Sequence, residues 1–318
     1  MKKLMILLVA VLFFSCNNDK KATIDVSNIK ADADIKRFEQ VFYNKEVALP
    51  DLKQEYPYLF PTKFEDSVWV NKRNNPDELE LFAETEAVFN DFGEQKDELS
   101  SLFQHITYYF PKFKGPKVVT LLTNIDPDNK IILTDSLLLI SLDHYLGRDH
   151  EFYASFPKYI KRNNTPEHLI VDVGNEFAKK IVKPSPDRSF VSRMIQEGKR
   201  IKLVEDFLSN TPIAEILGYD DEQMEWLANN ESDIWKYFVE NEMIFSNDPE
   251  LSERFLFDAP FSKFYLANDQ DSPGGIGKWF GYLIISGFME NNDASLQEIL
   301  NISNEEIFKK SKYKPKKA

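Results

Sequence analysis

The sequence predicts an α+β fold, predominantly helical, in which a small β-sheet is followed by long helices. Three patterns carry that prediction. Apolar residues recur at helical spacing up to residue 113, β-branched residues concentrate between 117 and 142, and helical spacing returns from residue 165 onward. Helices, then strands, then helices argue for segregated elements rather than for alternating βαβ units.

In IKRFEQVFY, Ile35, Phe38, Val41 and Phe42 fall at helical spacing, as do Leu79, Phe82, Val88, Phe89 and Phe92 of DELELFAETEAVFNDF. SSLFQHITYYFPKF extends the pattern to Pro111. Residues 117–123 and 130–142 then read as strands, with the turn signal Asp126-Pro127-Asp128-Asn129 between them. NTPEHLIVDVGNEFAKKIV predicts a helix with Thr165 as N-cap and Pro166 at the first helical position, closing on Lys179 and Lys180 where cations suit the helix dipole. SPDRSFVSRMIQEGKRIKLVEDFL predicts another by the same device, with Ser185 as cap before Pro186. Residues 220–245 form a long amphipathic pattern, and 276–289 a further helix after a Pro-Gly-Gly turn.

The N-terminus has its own logic. Residues 4–14 are eleven consecutive apolar side chains after Lys2 and Lys3. A membrane-spanning helix needs about 20, so residues 1–15 read as a signal peptide. The run ends at Ser15-Cys16, with Leu12 four residues before the only cysteine in the chain. This end resembles a bacterial lipoprotein signal, which implies that Cys16 carries acyl chains such as palmitate. Each buried CH₂ of such chains contributes about 0.8 kcal/mol to membrane attachment. With Cys16 so used no disulfide forms, and the fold rests on its core. Residues 16–34 read as a tether, 35–308 as a single domain and 309–318, with six lysines and no acid, as a solvated basic tail. A formal net charge of -13 argues against nucleic acid as a partner.

Few motifs carry chemistry. PGGIGKWFG lacks the spacing of a phosphate loop, because Ser272 and Trp279 stand where Gly and Ser or Thr are needed. It reads as a glycine turn feeding a helix. A G-x-S-x-G nucleophile elbow is absent, and there are four histidines, His105, His144, His150 and His168. The nearest approach to a metallopeptidase H-E-x-x-H is HLIVD, where His168 and Asp172 lie one turn apart. Leu169 occupies the place of the general base and cannot take a proton from water. Glu197, on the next helix, is where a third ligand would come from. One histidine and two carboxylates are a poor donor set for zinc.

SLDHYLG, RMIQEGKRIKLVEDFL, ILGYDDEQMEWLANNESDIWKYFVE, FDAPFS, SPGGIGKWFGYLIISGFMENND and SKYKPKK follow one another in order. Together they resemble the GldB family of gliding-motility lipoproteins of the Bacteroidetes, over residues 24 to the C-terminus. The resemblance implies a cell-envelope lipoprotein required for gliding, acting with other gliding-motility envelope proteins and the type IX secretion apparatus. The QEG of the second cap-marked helix and the later GKWFGYLIISGFM are also similar to zincin-type peptidases. A zincin-like scaffold without an intact H-E-x-x-H implies a pseudo-peptidase rather than an enzyme.

The expectation is therefore a non-catalytic binding protein without metal or cofactor, attached to the membrane through its N-terminal lipid. Its relic cleft is expected around His168, Asp172, Asn175, Glu176 and Glu197, with a peptide as ligand. Asn17-Asn18-Asp19 is not a run of acids, so a periplasm-facing anchor, favouring the outer membrane, is expected. Two other readings remain at this level: a divergent metal-dependent hydrolase using His168, Asp172 and Glu197, and a structural scaffold whose lysine tail meets phosphates.

Overall fold

The computed structural model describes residues 24–316; the expected signal peptide, Cys16 and the start of the expected tether lie outside them. Val118, Val119, Leu138 and Ile140 are fully buried at the centre of a four-stranded sheet. Strand β1 (Ile35–Arg37) pairs in parallel with β2 (Lys117–Leu121), with Ile35 opposite Val118 and Arg37 opposite Thr120. A short β3 (Ile131–Leu133) turns at Thr134 into β4 (Leu137–Ser141), which it meets antiparallel. β4 runs parallel to β2, giving the order β1-β2-β4-β3.

β1 is a correction to the helical reading of Ile35. The helix starts only at Phe38, because the ladder to β2 competes for the three residues before it. Parallel partners so distant in sequence leave no local trace in the pattern.

Five helices fill the N-terminal part: α1 (Phe38–Tyr43), α2 (Leu49–Glu55), α3 (Asp66–Asn74), α4 (Pro76–Phe89) and α5 (Gly93–Tyr109). Phe38, Phe42, Tyr56 and Phe60 cluster here with ring centroids 5.0–6.4 Å apart. After the sheet come α6 (Lys158–Lys161), α7 (Leu169–Ile181), α8 (Phe190–Phe207), α9 (Ile213–Leu217) and α10 (Asp221–Glu240). The chain closes with α11 (Glu250–Phe255), α12 (Gly277–Asn292), α13 (Leu296–Asn301) and α14 (Asn304–Ser311). The predominantly helical α+β class is thus the observed one.

Two predicted caps move. Thr165 makes no capping bond: Pro166–His168 form a 3₁₀ turn and α7 begins at Leu169. α8 starts at Phe190, where the Ser189 hydroxyl accepts from the Ser192 N–H at 3.3 Å; the Ser185 hydroxyl accepts from the Asp187 N–H in the loop before it. In both places a proline marks the approach to a helix rather than its first turn.

α8 crosses α12 with backbone against backbone at two glycines. A Cβ on Gly198 would sit 2.1 Å from the Gly281 carbonyl oxygen, and one on Gly281 1.8 Å from that of Met194. Only glycine at both positions lets the backbones touch. The QEG and KWFG of the sequence are therefore one packing device.

Both ends of the expected domain shift outward. Within the presumed tether, Val26 and Ala33 are buried, the Gln104 amide donates to the Ile29 carbonyl (3.1 Å) and the Ala33 N–H to the Ser100 hydroxyl (3.1 Å). At the other end α14 runs past residue 308. Beyond it the Tyr313 ring packs edge-on to Trp235 at 5.0 Å, and its hydroxyl donates to Glu231 at 2.8 Å. The residues between 309 and 316 are thus partly docked, because one aromatic among the lysines has a core to join.

Candidate functional site

The open end of the sheet carries a cleft of 500 Å³. Its nearer rim is the loop between β2 and β3, which takes an uncommon path: Asn124 and Ile125 both have positive φ, 59° and 57°. For a β-branched residue this is strained. Asp143, fully buried after β4, holds it there. Its Oδ2 accepts from the Thr123 N–H (3.0 Å) and the Ile125 N–H (2.7 Å), while Oδ1 has no partner. Burial pushes the carboxyl up to about 6, against the pull of those backbone bonds. The neighbouring His144 hydrogen-bonds the Asp126 carbonyl through Nε2 at 3.0 Å, and its burial, with Lys130 nearby, pulls its pKa down to about 4. Pro127 and Asp128 are thereby fixed on the cleft wall.

α7 supplies Asp172, Asn175 and Glu176, and α8 supplies Glu197 and Arg200, from opposite sides. Four of the residues expected in the relic cleft therefore line a single cavity. The fifth, His168, does not line it. It lies buried behind Asp172, its Nε2 3.6 Å from Asp172 Oδ1 and its Nδ1 2.6 Å from Glu215 Oε1. Asp172 Oδ2 accepts from Lys130 Nζ (2.6 Å) and from the Tyr145 hydroxyl (2.9 Å), and Lys130 lies 4.6 Å from the Tyr145 ring centroid. Burial raises the Asp172 carboxyl, yet Lys130 and His168, with the two hydrogen bonds, outweigh it and hold the pKa below the usual aspartate value. Tyr145, fully buried beside that carboxylate, is pushed well above the usual tyrosine range.

These bonds decide what the residues can hold. Both His168 nitrogens face carboxylates, Asp172 is neutralised by Lys130, and Glu197 is paired with Arg200 at 2.7 Å. Among the described residues no group of three His, Cys, Asp or Glu side chains is disposed to hold a metal ion. His168, Asp172 and Glu197 thus do not fit a shared metal. Leu169 is fully buried, one residue along from His168, and presents nothing to the cleft.

Several cleft residues had no sequence signal: Lys130 on the edge of β3, Arg162 and Asn164 after α6, Tyr219 before α10, and the pair Asp258 and Lys278 (2.5 Å). They come from separate segments of the chain, brought together only by topology.

The sequence model of the family described as gliding motility protein GldB matches residues 19–315. The chain belongs to the GldB family. That match takes in the sheet, α1 to α14 and every GldB-family cleft residue named above. Membership implies a role in gliding motility. No curated protein and no solved structure matches this GldB-family chain. Among the described residues no helix is long and apolar enough to cross a membrane.

Proposed function

We propose that this GldB-family chain is a lipid-anchored protein of the cell envelope that serves gliding by holding a peptide segment of a partner in the cleft, without catalysis. The observation that carries the reading is the pairing inside the cleft. Asp172, Glu176, Glu197 and Asp258 each carry a lysine or arginine partner, which leaves Asp128, exposed on the rim, as the cleft acid without one. A wall of alternating charges with Phe156, Tyr159 and Ile160 between them suits the mixed polar and apolar surface of a peptide. The peptidase-like scaffold then works as a pseudo-enzyme, with Leu169 in the place of the base.

In this reading Cys16 is the anchor, set on the periplasmic side of the outer membrane, and the partners are other gliding-motility envelope proteins linked to type IX secretion. A deletion strain tests it. Lys130→Met with Asp172→Asn is expected to abolish colony spreading while the chain is present at its normal level. Normal spreading by that strain would remove the cleft from the account. Cys16→Ala is likewise expected to stop spreading, and gliding restored by a soluble Cys16→Ala protein would remove the anchor.

A further inference from the structure

Arg162, Asn164 and Arg200 all line the cleft, and each keeps a buried N–H without a partner: Arg162 Nε, Asn164 Nδ2 and Arg200 Nε. An unmet buried donor costs about 1–3 kcal/mol, and more when it is charged. Asn164 is the sharpest case, at 2 % exposure. Its backbone is spoken for, with the N–H on the Lys161 carbonyl and the carbonyl accepting from the Gly147 N–H, so its amide is what remains.

Arg162 stands apart from the other cations of the cleft. Lys130, Lys179, Arg200 and Lys278 are each paired with an acid of the same cleft. Arg162 instead donates through Nη1 to the neutral Gln223 Oε1 at 2.5 Å, with its guanidinium 5.8 Å from the Tyr219 ring. Asp258 lies on the same wall but bonds Lys278. Asp220 and Asp258 act on this desolvated guanidinium only at a distance, so no acid is hydrogen-bonded to it. Its planar fork suits two oxygens on one atom, and the Asn164 amide two residues on adds a third donor.

We propose that the cleft takes a carboxylate, the free C-terminus of a peptide, with Arg162 and Asn164 donating to its oxygens. This rests on the reading of the cleft as a peptide site. Arg162 has no hydrogen-bonded acid, and a single carboxylate would supply one; Asp128, the cleft acid without an ion-pair partner, lies exposed on the rim. A phosphate dianion would add an excess charge to a cavity whose other cations are already paired and whose rim carries Asp128. Ile160, Ile216 and Tyr159 give apolar surface in the same cavity for the last side chain of the peptide.

The full chain, purified in detergent and immobilised, is exposed to a mixed-sequence hexapeptide pool with free C-termini and to the same pool amidated. Retained peptides are read by mass spectrometry. Free acids are expected to be retained about ten-fold more than amides, with that preference lost in Arg162→Met and weakened several-fold in Arg162→Lys. Unchanged thermal melting of the lysine variant shows that its fold is kept. Equal retention of acids and amides overturns the carboxylate and leaves the peptide cleft standing. Retention of neither pool, while Lys130→Met with Asp172→Asn still abolishes gliding, also overturns the carboxylate alone. Neither pool retained and gliding intact overturns both readings. Inorganic phosphate bound through Arg162 more tightly than the free acids overturns the carboxylate in favour of another oxyanion.

Discussion

Helix α8 has two faces that follow opposite rules. One meets α12 at Gly198, where backbone touches backbone and no side chain fits between them. The other presents Glu197 and Arg200 to a polar cavity in which N–H groups remain without partners. The first face is complete in itself, so any added atom harms it. The second is incomplete, and its residues are priced by what they bind rather than by what they pack. A single helix thus serves as the wall of the core and as the wall of the cleft, and the glycine contact sets how far apart the cleft walls stand.

The strongest break of this comparison is at the closed face. Gly281→Ala would place a methyl group 1.8 Å from the Met194 carbonyl oxygen, against backbone that has no rotamer to move. The expected cost is about 3 kcal/mol or more, seen as a large fall in urea midpoint. Because the helices must separate, peptide retention should fall with it. An Arg200→Ala substitution on the other face should leave the unfolding free energy within about 1 kcal/mol of the parent. If the two variants melt alike, the two faces are not different in kind.

The second prediction concerns the strained rim. Asp143→Ala leaves the Thr123 and Ile125 N–H groups unmet beside two positive-φ residues, at an expected cost of about 2 kcal/mol. Asp143→Asn behaves differently, since one amide oxygen can accept both bonds while the amide nitrogen replaces an oxygen that has no partner. The carboxyl of Asp143 is raised to about 6 in the fold, against about 3.9 when unfolded. Stability from this group is therefore greatest below the unfolded value and is lost as pH rises toward 6. In the asparagine variant that loss between pH 4 and pH 6 should vanish, and a persistent slope would assign it elsewhere.

Much of this is legible in the sequence, and the gaps have physical causes. Helical periodicity placed α7 and α8, and the carboxylates and amide at Asp172, Asn175, Glu176 and Glu197 do share a cavity. Periodicity reports which residues lie on one face of one element, so it found what two helices contribute. It could not find Lys130, Arg162 or Lys278, because an edge strand, a connection and the entry to α12 meet only through the fold. His168 shows the same limit from inside a motif: its spacing to Asp172 was right, but Glu215 turns it away from the cleft. The caps at Thr165 and Ser185 failed because a proline permits a first helical turn without requiring one there. β1 failed because its ladder partner is some eighty residues away.

The smallest effect separates the cleft from the surface by the sign of its pH response. Asp172 is held below the usual aspartate value, so the stability it contributes is present above about pH 4 and is lost as pH falls through its folded pKa. Asp172→Asn should cost about 1 kcal/mol at neutral pH and make the acid limb of the stability curve shallower. That is opposite in sign to Asp143, because Lys130 forms an ion pair with Asp172 while burial dominates at Asp143, which has no ion-pair partner within reach. Lys309→Ala and Lys310→Ala, which remove exposed pairs to Glu305 and Glu306, should each change stability by less than about 0.5 kcal/mol. A tail-lysine variant that matched Asp172→Asn in size or in pH response would show that the cleft pairing is ordinary surface electrostatics, and would leave Arg162 as one exposed cation among many.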